Sequence, residues 1–241
     1  MERSFQFNSA LDRDRGVGGE ARDMDRPEGP HLVYFADPMC SWCWGFSPVI
    51  EAIGERFGEQ LPIRLVLGGL RPGTVEPMDE QARTETRGHW RHVQEASGQG
   101  FDWSFFDREG FVYDTEPASR AVVLMRRRGQ AEALAGLRRL QRAFYAEGRD
   151  VTDLDQLAEL AGELGFAPRE FRAELDEVTL MHETRADFEL AARSGVRGFP
   201  TLIAGTGGAR DYVLLTHGFQ PAQRVLPALE QWLEAQRGQA A

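Results

Sequence analysis

The stretch HLVYFADPMCSWCWGF, residues 31–46, decides how the rest of the chain reads. Its first half (31–37) is short, mostly apolar and stopped by Pro38, which predicts a β-strand. The apolar residues then change period. Cys43, Phe46, Ile50, Ile53 and Phe57 step by three or four and mark one face of a helix. Pro48 falls inside that helix without an amide for the Trp44 carbonyl, so a kink is expected there. LPIRLVLGG (61–69) supplies a second strand. Strand, helix and strand in succession predict a right-handed parallel crossover, with Cys40 and Cys43 at its strand-to-helix junction.

Outward from this unit, residues 71–178 read as helical. Leu134, Leu137 and Phe144, then Leu154, Leu157, Leu160, Ala161 and Leu164, keep helical spacing. Thr152 or Asp153 can cap the second of these helices, and Gly165 can end it. FDWSFFDREGFVYD (101–114) is aromatic and irregular. Strand character returns at TLIA (201–204) and DYVLL (211–215), joined by a glycine turn as a hairpin. Gln220 and Pro221 open a last amphipathic helix with Leu226, Leu229 and Leu233 inward. The division is a polar, glycine-rich tail expected to be disordered (1–28), an α/β domain split over 29–72 and 180–237, and a helical insertion (73–179).

Composition narrows the chemistry. The 241 residues carry 28 basic and 38 acidic side chains, a net charge of -10. Every basic residue is arginine, which removes Schiff-base and lysine general-base mechanisms. An acidic chain offers no face for phosphate contacts, so neither nucleic acid nor an anionic membrane is an expected partner. There is no apolar run of membrane-spanning length and no secretory leader pattern in the opening residues, so the cytoplasm is the expected location.

The two cysteines, Cys40 and Cys43, are too few for a disulfide scaffold but have redox spacing. A thiolate at a helix N-terminus is stabilised by free backbone N–H groups and the helix dipole. Cys40 occupies that position and is the expected nucleophile. Cys43, almost one turn on, is the expected resolving thiol. A C-x-x-C pair can also be half of a zinc site, for which His89 and His92 are the available partners; surface polarity is the competing role for those histidines, and no metal is expected. Asp37 either caps the turn at Pro38 or tunes the thiols. Trp42, Trp44 and Met39 make an apolar collar, with Trp42 the residue expected to be exposed.

These residues resemble the thioredoxin superfamily, specifically its DsbA-like branch, on CSWC at a strand end, the helix proline five residues after Cys43, a helical insertion, and GVRGFPTLI (195–203) ahead of a hairpin. DPMCSWCWGF, LVLGGLRPGT and FYAEGRDVTD are similar to cytosolic DsbA-family proteins described as protein-disulfide isomerases, the FrnE relatives. The resemblance implies a thioredoxin-like mixed sheet and a cis Phe199–Pro200 bond beside the cysteines. It further implies substrate contacts at Ser41, Trp42 and Phe199, and catalysis by Cys40, Cys43 and Pro200. Implied partners are protein disulfides or dithiols and a thiol reductant or oxidant such as glutathione, with no bound cofactor. Two other functions stay open: a glutathione-dependent kappa-class transferase or 2-hydroxychromene-2-carboxylate isomerase, which carry serine where this chain keeps two cysteines, and a peptide-binding or chaperone module without catalysis.

Overall fold

The computed structural model describes residues 29–207 and 212–239. The tail expected over 1–28 and the tip of the glycine turn lie outside them. Four strands, β1 (His31–Ala36), β2 (Ile63–Leu67), β3 (Thr201–Gly205) and β4 (Val213–His217), form one sheet in the order β2-β1-β3-β4. β1 runs parallel to β2 and antiparallel to β3, which pairs antiparallel with β4. The sheet is therefore mixed, and its β1–helix–β2 unit is the predicted parallel crossover. The described part of the last strand starts at Val213, which the hairpin register sets against Ala204; the expected start at residue 211 lies outside the described residues.

All six residues of β1 are buried because helices cover both faces of the sheet. Leu32, Tyr34 and Ala36 face α1 (Ser41–Phe57), which contributes Cys43, Phe46, Ile50, Ile53 and Phe57. Val33 and Phe35 join Leu190 and Ala191 of α7 (Val178–Arg193) on the other face. The final helix, α8 (Ala222–Gln239), buries Val225, Leu229 and Leu233, while Leu226 is only partly covered. No helix among the described residues is long and apolar enough to cross a membrane.

α1 continues across Pro48, which lies on its exposed side. The Trp44 carbonyl that Pro48 leaves without its helical donor is met elsewhere. Ser47 Oγ donates to it at 2.9 Å and Gln99 Nε2 at 3.2 Å. Gln99 also bonds Ser47 Oγ, so a residue of the helical region braces α1 where proline weakens it.

Between β2 and β3 lie α2 (Glu80–Ser97), α3 (Glu116–Arg126), α4 (Gln130–Tyr145), α5 (Leu154–Glu163), α6 (Pro168–Glu174) and α7. Helix does not begin at Arg71 as the sequence reading expected. Pro72, Gly73 and Pro77 hold residues 71–79 out of helix, and α2 starts only where Asp79 can cap it by accepting from Ala82 N–H. Asp153, rather than Thr152, caps α5. The aromatic segment forms a short 3-10 turn, Trp103–Asp107. Its rings gather on the fully buried Trp90, with Phe101, Phe105 and Phe106 at 4.9–5.0 Å between centroids.

The helical region also seals the β2 edge of the sheet. Gln130 Oε1 accepts from Leu65 N–H, Arg126 donates to the Leu65 carbonyl, and Asp187 accepts from Leu67 N–H. Arg126 and Asp187 meet as a two-pronged ion pair at 2.6 and 3.0 Å, with side chains only 16% and 10% exposed. Side chains thus replace the missing neighbour strand. Asp187→Ala strands a desolvated guanidinium and an edge N–H, and is expected to lower the unfolding free energy by about 3 kcal/mol or more. Urea unfolding checks this, and Arg126→Met with Asp187→Leu should cost less, because no charge is left unpaired.

Candidate functional site

The site is built where β1 ends. Asp37 follows the strand, fully buried, and its two carboxylate oxygens tie separate loops together. Oδ1 accepts from Met39 N–H at 2.8 Å and Oδ2 from Leu70 N–H at 2.7 Å, while the Asp37 carbonyl accepts from Cys40 N–H. Burial raises the carboxyl pKa, the two amides and Thr115 lower it, and burial wins, leaving it at about 6. Asp37 therefore caps its turn, and it also stands within electrostatic reach of Cys43.

Cys40 is the residue immediately before α1, with extended backbone (φ -94°, ψ 113°) and a side chain that caps nothing. It is 5% exposed, and its Sγ donates to the Phe199 carbonyl at 3.6 Å. The first-turn amides of α1 lack helical acceptors and point toward this end of the helix. Cys43 is wholly buried. Burial first, and then the neighbouring Cys40 sulfur, push its thiol well above the usual range. The two thiols are thus unequal: Cys40 precedes the first turn of α1 against the Phe199 carbonyl, while Cys43 lies wholly buried one turn on, its thiol hard to ionise.

Phe199 and Pro200 arrive from the far side of the sheet, and the bond between them is cis. Pro200 is buried and its carbonyl accepts from Gly218 N–H at 2.7 Å. The Phe199 ring lies on Gly68; a Cβ at Gly68 would come within 2.0 Å of it, so no other residue fits there without displacing the ring. Trp44 and Met39 are buried: Trp44 stacks on Tyr145 and donates to the Gly100 carbonyl, and Tyr113 O–H donates to the Met39 carbonyl. Trp42 is the more open of the two tryptophans, resting on Phe219 at 5.9 Å, and Ser41 is half-buried beside it. Cys40, Cys43, Asp37 and Phe199–Pro200 therefore converge.

His89 and His92 are exposed on α2. Among the described residues no group of three or more His, Cys, Asp or Glu side chains is placed to hold a metal ion.

The structure adds residues that the sequence reading passed over. Tyr34 is fully buried with its hydroxyl directed at the Cys43 thiol, and burial raises its pKa well above the usual value. The signal was available, since strand alternation puts Tyr34 with Leu32 and Ala36 on the α1 face. Tyr113, Tyr145 and Phe219 reach the site from distant segments that no local spacing connects to it.

Asp37 gives the fold a pH signature. A carboxyl harder to ionise in the folded chain than in the unfolded one takes up a proton on folding between pH 3.8 and about 6. Stability contributed by this group is therefore full below that window and is lost as the pH rises through it, by about 3 kcal/mol. Urea midpoints from pH 4 to 7 are expected to show this fall in the parent and to lose most of it in Asp37→Asn; an unchanged slope refutes the assignment.

Residues 31–229 match the DSBA-like thioredoxin domain family. A Nitrosomonas europaea protein solved as a candidate protein disulfide isomerase is 36% identical and superposes with a TM-score of 0.79, covering 86% of this chain and 99% of that one. The cytosolic disulfide reductase DsbM from Pseudomonas aeruginosa, also solved with GSH, is 30% identical with a TM-score of 0.69 over 85% of this chain and 99% of DsbM. The ClpXP adapter protein SpxH of Bacillus subtilis is 24% identical over 178 residues, 73% of this chain but only 58% of SpxH, so the chain spans less than two thirds of that relative. With the parallel β1–α1–β2 unit, the antiparallel β3–β4 pair and a match over nearly all the described residues, the chain belongs to the DSBA-like thioredoxin domain family.

Proposed function

We propose that the chain is a thiol-disulfide oxidoreductase and isomerase of the cytoplasm, exchanging disulfides with protein or small-thiol substrates through Cys40 and Cys43. The observation that carries the reading is the inequality of the two thiols. Cys40 sits at the helix end against the Phe199 carbonyl, and Cys43 is buried with a raised pKa. The fold and the disulfide reductase and isomerase neighbours support this chemistry in general terms. DsbM, named as cytosolic and solved with GSH, supports the location and glutathione as the redox partner.

The Cys40 thiolate attacks one sulfur of a substrate disulfide. A mixed disulfide forms, and the other substrate sulfur leaves as a thiolate that takes a proton. Cys43, once deprotonated, attacks Cys40 Sγ. A Cys40–Cys43 disulfide forms, the second substrate thiol is released, and two electrons have passed from the chain to the substrate. Two molecules of a thiol such as glutathione return the pair to dithiols and leave as their own disulfide. In isomerisation a substrate thiol resolves the mixed disulfide instead, and no net electrons move. Asp37, a carboxylate at neutral pH beside Cys43, is the group placed to receive its proton. The Phe199 carbonyl can accept a backbone N–H of an extended substrate when Cys40 reacts.

Cys43→Ser is expected to accumulate mixed disulfides with reduced-and-reoxidised protein substrates and to lose insulin reduction to background. Cys40→Ser should lose the same activity and trap nothing. Non-reducing electrophoresis and mass spectrometry read both outcomes, and equal trapping by the two variants overturns the assignment of roles.

A further inference from the structure

As the resolving thiol, Cys43 has to become a nucleophile where its surroundings oppose charge. It is wholly buried, and burial, the Cys40 sulfur and the Asp37 carboxylate each work against its ionisation. A buried thiolate needs donors. One is the backbone amide of Asp37, which favours charge on the Cys43 sulfur. The other comes from β1. Tyr34 pairs with Leu65 on one side and Leu202 on the other, so its backbone is held by both neighbouring strands. Its side chain is 1% exposed and lies against the ring of Phe46, on the same helix as Cys43. The hydroxyl finds no oxygen or nitrogen partner among the described residues and is directed at the Cys43 sulfur. That contact makes the hydroxyl harder to ionise, which is the sign of an O–H that donates. The other titratable groups nearby are Asp37, Cys40 and, acting on Cys40, Tyr113 and Tyr145 of the helical region.

We infer that the Tyr34 hydroxyl and the Asp37 amide form a two-donor seat for the Cys43 thiolate, and that Tyr34 thereby promotes the resolving step. This role rests on the reading of Cys43 as the resolving thiol. A neutral thiol is a weak acceptor, so the hydroxyl gains little while Cys43 is protonated. Once the Asp37 carboxylate takes the Cys43 proton, the sulfur carries a full charge, and a donor already aimed at it becomes far more effective. The thiolate attacks Cys40 Sγ in the mixed disulfide. The Cys40–Cys43 bond forms, the bond from Cys40 to the substrate sulfur breaks, and that sulfur leaves with the electron pair and takes a proton. In the resulting disulfide the charge is gone, so the hydroxyl favours the attacking state over the neutral states on either side of it. A hydrogen bond to a charged group is expected to raise the thiolate fraction about tenfold or more. A stabilised thiolate is less nucleophilic by roughly threefold for each tenfold gain, which leaves a net acceleration of about threefold.

The probe is dithiobis(nitrobenzoate). It releases one coloured thiolate when Cys40 attacks it and a second when Cys43 resolves the Cys40 mixed disulfide. In stopped flow with the full chain, Tyr34→Phe keeps the ring and removes only the donor. It is expected to leave the first release at the parent rate and to slow the second about threefold or more, with its rise moved to higher pH. Tyr34→fluorotyrosine, whose hydroxyl is the stronger donor, should move the second release to lower pH. Circular dichroism confirms folding of both variants. A second release unchanged in rate and pH profile in either folded variant overturns the inference alone, as does equal slowing of both releases, which marks a packing role. A parent protein that releases a single equivalent overturns the assignment of Cys43 as the resolving thiol, and this inference with it.

Discussion

The arrangement depends on one buried carboxylate. Asp37 joins the loop that delivers Cys40 to the turn that leaves β2, through two amide hydrogen bonds made in the absence of water. Each bond lowers the free energy of the charged group, yet desolvation still dominates, so the carboxyl is held in place at a net electrostatic cost. Strand ends that could otherwise splay are fixed relative to each other, and the start of α1 is fixed with them. The position of the Cys40 thiol is thus inherited from an interaction three residues before it.

Much of this was legible in residues 31–69. Period-two and period-3.6 patterns located β1, α1 and β2, because each element buries one continuous apolar face against its neighbours. The C-x-x-C spacing at the helix start was equally plain. Less legible were features set by tertiary partners. The helical start of residues 71–79 was overridden by Pro72 and Pro77, and α2 waited for the Asp79 cap. Besides the local bond from Ser47, the Trp44 carbonyl accepts from Gln99, more than fifty positions away, a partner no local rule anticipates. Tyr34, read only as an apolar strand residue, proved to be the polar neighbour of Cys43.

The helical region contributes more than cover. Its side chains complete the hydrogen bonding of the β2 edge, brace α1 at its proline, and clamp the Met39 carbonyl through Tyr113. An arginine-only composition suits the first task. A guanidinium can bond a carboxylate with two N–H groups and still donate to a strand carbonyl, as Arg126 does, whereas an ammonium offers no planar fork. Outside, Arg127 meets Glu177 and Glu183, and Arg139 and Arg149 share Glu163. Such exposed pairs contribute little singly; the edge-sealing pair is the one on which the sheet relies.

The contact between Gly68 and Phe199 bears on motion. The first residue follows β2 and the second precedes β3, strands that are not neighbours, and the two meet beyond the end of β1, which separates them in the sheet. The ring therefore spans the top of the central strand like a crossbar. A hinge opening of the Pro200 loop would have to lift an aromatic ring out of a seat shaped by a missing side chain. For the exchange proposed at Cys40, movement is thereby confined to rotation of the thiol and arrival of the substrate, and the entropy of ordering the receiving backbone is spent during folding rather than at each encounter.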